Sequence, residues 1–130
     1  LSGFGEGAPP DVLILALPQT PDTDNLVSEA ILSTLKEALL VNVGRGATLD
    51  PAALKMALDR DHVSHAVLDV FEVEPLPRDD WRWSDPRITV TPHVSGQTRP
   101  QDAIERFCQL LDDYIRTGVP PASVDVVRGY

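Results

Sequence analysis

Four short apolar runs, set apart by polar turns and helix-like stretches, constrain the fold of this chain more than any other feature. The first runs from Asp11 to Leu17 and is closed by Pro18. It is too short for a typical helix and rich in residues that suit a sheet, so it reads as a strand buried on both faces. The second spans Ala38 to Val43 and stops at Gly44-Arg45-Gly46, the third spans Ala66 to Phe71, and the fourth Ile88 to Thr91. Polar turn formers fill Gln19 to Asp24, and Ser28 is the candidate N-cap of a helix running to about Leu35. Asp50 followed by Pro51 joins a capping carboxylate to a proline at the first helical position, for a helix ending near Asp61. Strands that alternate with helices pair in parallel through right-handed crossovers, so the expected class is α/β. Pro75, Pro77, Trp81, Trp83 and Pro86 mark an irregular loop held down by aromatics. From Arg99 to Arg116 apolar residues recur at helical spacing, and Gly118 with Pro120 marks the stop.

Composition narrows the possible partners. The 130 residues suffice for one domain with a real core. No apolar run approaches the ~20 residues that span a bilayer. A formal net charge of -9 with no basic cluster disfavours nucleic acid and anionic membranes. An anionic substrate would therefore need a local cation, and Arg45 can supply one. The single cysteine, Cys108, excludes an intramolecular disulfide, fits a reducing compartment with cytoplasm as the expected location, and reads as a small core residue. His62 and His65 lack metal-ligand spacing and read as surface or edge residues, so no metal site is expected.

Three side chains with chemical potential, Arg45, Glu74 and His93, each stand just past an apolar run, where ligands bind in open α/β sheets. Arg45 between two glycines could be a solvated turn residue. Its planar fork is equally suited to a keto acid, donating two hydrogen bonds to a carboxylate while staying charged. A lone histidine such as His93 is more often structural. A carboxylate beside an imidazole favours the charged ring, however, and with Glu74 as that partner His93 could hold a proton ready near neutral pH. Asp69 lies within a buried-looking run, where an unpaired carboxylate is costly and needs a partner.

Val-Asn-Val-Gly-Arg-Gly ending at Gly46, Leu-Asp-Val-Phe-Glu-Val-Glu-Pro ending at Pro75, and Thr-Pro-His-Val-Ser-Gly ending at Gly96 together resemble the cofactor-binding domain of the D-isomer-specific 2-hydroxyacid dehydrogenases. The resemblance runs from Asp11 to the end of the chain. It implies the second half of a Rossmann-like doubly wound parallel sheet, without the glycine-loop strand or the substrate domain. Residues 1–130 would then be a partial NAD(P)-binding domain with a C-terminal helix. It also implies an oxidoreductase that moves hydride between NAD(P)H and a small 2-keto acid, as a homodimer when complete. Arg45 would anchor the substrate, His93 would be the acid and Glu74 its orienting partner. Leu17 and Pro18 would run along the adenosine ribose, with Thr23 in a turn nearby. Val43, Gly44 and Arg45 would line the ribose and nicotinamide side, and Asp69, His93 and Gly96 would lie near the nicotinamide.

Thr98-Arg99-Pro100, the loop around Trp83 and the terminal Arg128-Gly129-Tyr130 are most similar to the glyoxylate/hydroxypyruvate reductase A group. One departure is Ser64-His65 ahead of Ala66, where family members commonly have a glycine. No G-x-G-x-x-G follows a strand, so NAD and NADP are not distinguished. The chain is expected to begin partway through a longer protein. Taken alone it should be inactive and should self-associate through the strand Asp11 to Leu17, left at an edge. The rival expectation is a non-catalytic remnant that binds a partner protein through that same unfinished edge.

Overall fold

The computed structural model describes residues 7–119, so the expectation resting on Arg128-Gly129-Tyr130 lies outside the described residues. One compact unit reaches Ser95 and a second begins at Gly96. The first unit is built on a four-stranded sheet in which β1 (Val12–Leu15), β2 (Ala38–Asn42), β3 (Val63–Leu68) and β4 (Ile88–Val90) lie side by side in chain order. All three pairings are parallel, which matches part of a Rossmann-type nucleotide-binding domain. The strands therefore all end on one side of the sheet. The segments after Leu15, Asn42, Leu68 and Val90 emerge there together.

Helices α1 (Glu29–Leu32) and α2 (Pro51–Asp59) link the strands. The start of α2 forms as its sequence dictates, with Asp50 Oδ1 accepting the backbone N–H groups of Ala52 at 2.9 Å and Ala53 at 3.2 Å. Ser28 does occupy the N-cap of α1, but its side chain makes no capping bond and the helix closes after one turn. Leu32, Leu35, Leu54 and Leu58 from this layer pack with Leu40, Val63 and Leu68 of the sheet to form the core.

The strand expected to be buried on both faces is an edge strand exposed on one. Val12 is 48% exposed and Ile14 62%, whereas Leu15 is buried. An unbroken apolar run suits a sheet covered on both faces. Among the described residues, the core lies on only one of them. The position at the sheet edge agrees with expectation.

The third strand begins earlier than expected, at Val63, and ends at Leu68. Ser64 and His65 interrupt the apolar pattern yet stay in the sheet because their polar ends find partners. Ser64 Oγ donates to the Glu37 carbonyl at 2.8 Å, and His65 Nε2 meets Thr89 Oγ1 at 2.9 Å. His65 is therefore on an interior strand rather than at an edge. A register shift between Ala38 and Leu39 absorbs the irregularity.

The proline-rich loop is held by Trp81, which packs against the core as expected, and also by an arginine. Trp83 is 54% exposed, whereas Arg82 is buried. The Arg82 guanidinium makes two bonds of 2.9 Å to the Asp80 carboxylate and one of 3.0 Å to Glu72, and lies 5.2 Å from the centre of the Phe71 ring.

In the second unit, α3 (Pro100–Thr117) starts after Arg99 and ends at Gly118, whose φ of 66° places it in the left-handed region that glycine accepts. Its residues Ile104, Phe107, Leu111, Tyr114 and Ile115 are exposed, and so is Cys108, which is not the core residue expected. No described helix is long and apolar enough to cross a membrane.

Candidate active site

Past β4 the chain turns sharply, and Asp69 makes the turn. Asp69 is 2% exposed, and its backbone carbonyl accepts the His93 N–H at 2.9 Å. Its carboxylate accepts the Thr91 hydroxyl and the backbone N–H groups of Val94 at 3.0 Å and Ser95 at 2.9 Å. Burial pushes this carboxyl up, but the hydrogen bonds from Ser95 and Thr91 outweigh it and hold Asp69 well below the usual carboxylate range. The partner that a buried carboxylate requires is thus the loop itself, not a cation. His93 sits in this loop at φ 51°, a left-handed conformation that costs a side-chain-bearing residue energy and is held by the bonds on either side.

Glu74 bridges two segments. Its Oε1 accepts the Phe71 N–H at 2.9 Å, and its Oε2 lies 2.8 Å from His93 Nδ1. Donation from His93, then from Phe71, holds the Glu74 carboxyl below its ordinary range against the opposing effect of burial. The group is ionised at neutral pH. Among the described residues no hydrogen bond engages His93 Nε2, so the second ring nitrogen is free to meet a ligand.

Arg45 follows β2 in a turn whose backbone is tightly specified. Asn42, 1% exposed, accepts the Gly44 N–H on Oδ1 at 3.1 Å and donates from Nδ2 to the Arg45 carbonyl at 3.3 Å. Thr48 Oγ1 donates to the same carbonyl at 2.7 Å. The flanking glycines are required by space, since a Cβ at Gly44 would stand 2.7 Å from the Leu17 backbone and one at Gly46 would stand 1.9 Å from the Phe71 carbonyl carbon. Among the described residues the only side-chain hydrogen bond of the exposed Arg45 is from Nη1 to the Gly44 carbonyl, at 2.7 Å. Arg45, Glu74 and His93, scattered along the sequence, line one depression of about 260 Å³. They arrive there from three different strand ends.

The other expected residues divide. The close approach of Gly44 to Leu17 brings Leu17, Pro18, Val43 and Gly44 together at the ends of β1 and β2, with Leu17 and Val43 half-buried and Pro18 exposed. This ledge is apolar. Thr23 is spent on its own turn, donating to the Pro18 carbonyl at 2.7 Å and accepting the Thr20 N–H at 2.8 Å. Gly96 opens the second unit, and a Cβ there would meet nothing within 4 Å. Asn42, Thr48 and Arg82 were not singled out in the sequence. The available signal was a polar or charged residue in a stretch that must be buried. Among the described residues no cluster could hold a metal ion.

A parallel sheet with a cation and an imidazole–carboxylate pair beyond the C-terminal ends of its strands has the layout in which open α/β domains bind ligands. Residues 8–95 match the family model for the NAD binding domain of D-isomer specific 2-hydroxyacid dehydrogenases, and the chain belongs to this family. A D-isomer specific 2-hydroxyacid dehydrogenase from Xanthobacter autotrophicus Py2, solved in complex with NADPH and MES, is similar over 100% of this chain at 36% identity and a TM-score of 0.90, with 55% of that chain covered. The NADPH-dependent glyoxylate/hydroxypyruvate reductase of Sinorhizobium meliloti, solved with NADP and sulfate, is similar over 99% at 30% identity and a TM-score of 0.88, with 43% covered. A probable 2-hydroxyacid dehydrogenase from Rhizobium etli CFN 42, solved with NADP, HEPES and L(+)-tartaric acid, is similar over 92% at 27% identity and a TM-score of 0.77, with 40% covered. The chain thus spans about half the length of these relatives or less.

Proposed function

We propose that this chain is the C-terminal part of the NAD(P)-binding domain of a 2-keto acid reductase of the glyoxylate/hydroxypyruvate type. The observation that carries the reading is the 2.8 Å contact between His93 and Glu74 on the wall of the depression that also contains Arg45. Arg45 grips the substrate carboxylate through its fork. His93, fixed through Nδ1 by Glu74, gives a proton to the carbonyl oxygen from Nε2, so that one hydride and one proton turn the ketone into an alcohol. The nicotinamide, when bound, supplies the hydride. Leu17 and Pro18 would run along the adenosine ribose of the cofactor and Val43 and Gly44 along its ribose and nicotinamide side, and no described residue forms a glycine-rich cradle for the diphosphate. NADP is the favoured form because the X. autotrophicus and S. meliloti relatives were solved with NADPH or NADP. The complete enzyme is a cytoplasmic homodimer in this reading.

The test is the rate of glyoxylate reduction by the complete protein. Glu74→Gln keeps the size of the side chain but gives up the charged acceptor at His93 Nδ1, so kcat should fall by about tenfold or more while KM for the keto acid changes little. An unchanged kcat removes Glu74 from the mechanism. Arg45→Lys should raise KM for the keto acid by at least about tenfold, because a point charge cannot reproduce a two-pronged grip. Ordinary saturation in that variant would return Arg45 to the turn. The edge position of β1, which pairs with β2 alone, favours the alternative of an interaction module. Turnover by the complete protein would set that alternative aside.

A further inference from the structure

The depression shared by Arg45, Glu74 and His93 carries a charge balance that disfavours an anion. Glu72 lines it as well, so two carboxylates face one arginine. A largely apolar cavity of about 610 Å³ beside the His93–Glu74 pair does not correct this, because among the described residues its lining holds Asp69 and Glu74 but no lysine or arginine. A keto acid brings one more negative charge. Both carboxylates of the depression are tied. Glu74 accepts the Phe71 N–H and meets His93, and Glu72 Oε2 accepts from Arg82 Nη1 at 3.0 Å. Arg82 is itself buried, with its guanidinium 5.2 Å from the centre of the Phe71 ring, and Phe71 lines the depression. Burial works against the Arg82 charge, but the bonds to Asp80 and Glu72 outweigh it and hold the group above the usual arginine range. Asp80 alone would serve to anchor the loop, since it takes the bonds from Nε and Nη2. The third arm, Nη1, is turned to Glu72.

We infer that Arg82 is a positioning residue of the keto-acid site, tying down the Glu72 carboxylate so that Arg45 is left to the substrate and the bound anion is spared a second free carboxylate in the same recess. The inference rests on the keto-acid reading above and extends it. A recess of about 260 Å³ is no wider than the screening length of ~8 Å at physiological salt, so a bound carboxylate feels each unit of charge on its wall. One guanidinium against the two carboxylates of Glu72 and Asp80 leaves this group one negative charge over. Neutralising Glu72 removes that charge, neutralising Arg82 doubles it, and neutralising both restores it. The affinity for a keto acid should follow the same ladder.

The experiment measures kcat and KM for glyoxylate in the complete protein and in its Glu72→Gln, Arg82→Met and doubly substituted variants. Methionine keeps an apolar stem against Phe71 and removes the charge with its bonds. KM should fall about threefold in Glu72→Gln, rise about fivefold or more in Arg82→Met, and return to within about twofold of the parent in the double variant, with kcat nearly constant throughout. An arginine that only anchors the loop predicts no such rescue, because losing Glu72 as well restores no bond. A double variant as impaired as Arg82→Met therefore overturns the inference and leaves the keto-acid reading standing, and so does an Arg82→Met variant with the KM of its parent. If Arg82→Met does not fold, Glu72→Gln decides alone, since a KM equal to or above that of the parent overturns the inference. If the parent reduces no keto acid at all, the keto-acid reading falls and this inference with it.

Discussion

His93→Ala should reduce keto-acid turnover by about 10²- to 10⁴-fold, the usual share of a positioned general acid, while changing affinity for the nicotinamide cofactor little. The expectation is sharp because the substitution removes the ring and little else. The His93 N–H to Asp69 carbonyl bond of 2.9 Å is made by backbone, so it survives in alanine. Asp69 also keeps the N–H groups of Val94 and Ser95. The left-handed φ of 51° at this position is unfavourable for alanine as it is for histidine, so little new strain is introduced. Steady-state rates together with a cofactor titration check the result, and added imidazole should restore part of the rate. Turnover within a fewfold of the parent would show that the proton comes from elsewhere, and Glu74 would lose its proposed part as well.

Among the described glycines, Gly46→Ala should be the most damaging alanine substitution, destabilising the first unit by about 3 kcal/mol or more. The new Cβ would stand 1.9 Å from the Phe71 carbonyl carbon and 2.3 Å from its oxygen, and these are backbone atoms that cannot swing aside as a side chain can. One of the two segments must move. Either movement reaches the site, since Phe71 N–H holds Glu74 and the Arg45 carbonyl is bonded to Asn42 and Thr48. Activity should therefore fall together with the midpoint of thermal or urea unfolding. A variant as stable as its parent would mean that the segments after β2 and β3 do not touch as closely as the structure has them. Gly96→Ala is the contrast, because a Cβ there meets nothing within 4 Å.

Much of this molecule was legible in the sequence because the signals were local. The Asp50-Pro51 start of α2 needs only residues adjacent in the chain, and its capping bonds form as expected. The parallel sheet follows from apolar runs alternating with helical stretches, and strand-end chemistry follows from parallel order. What stayed hidden depended on partners distant in sequence. Ser64 and His65 looked like the outside of a strand, yet belong to β3 because Glu37 and Thr89 receive their polar ends. Arg82 carried no local signal in the sequence, and is buried because Asp80, Glu72 and the Phe71 ring converge on it.

At the site the sequence by itself determined which side chains were chemically able: an arginine, a carboxylate and an imidazole, each just past an apolar run. Only the tertiary structure decided that Arg45, Glu74 and His93 share one depression, that Asp69 is the clasp of the His93 loop, and that an apolar cavity opens beside the pair. The physical reason is range. Caps and periodicity are set within a few residues, whereas a hydrogen bond between residues 69 and 95, or a glycine pressed against Phe71, exists only once the strands have paired and brought their ends together.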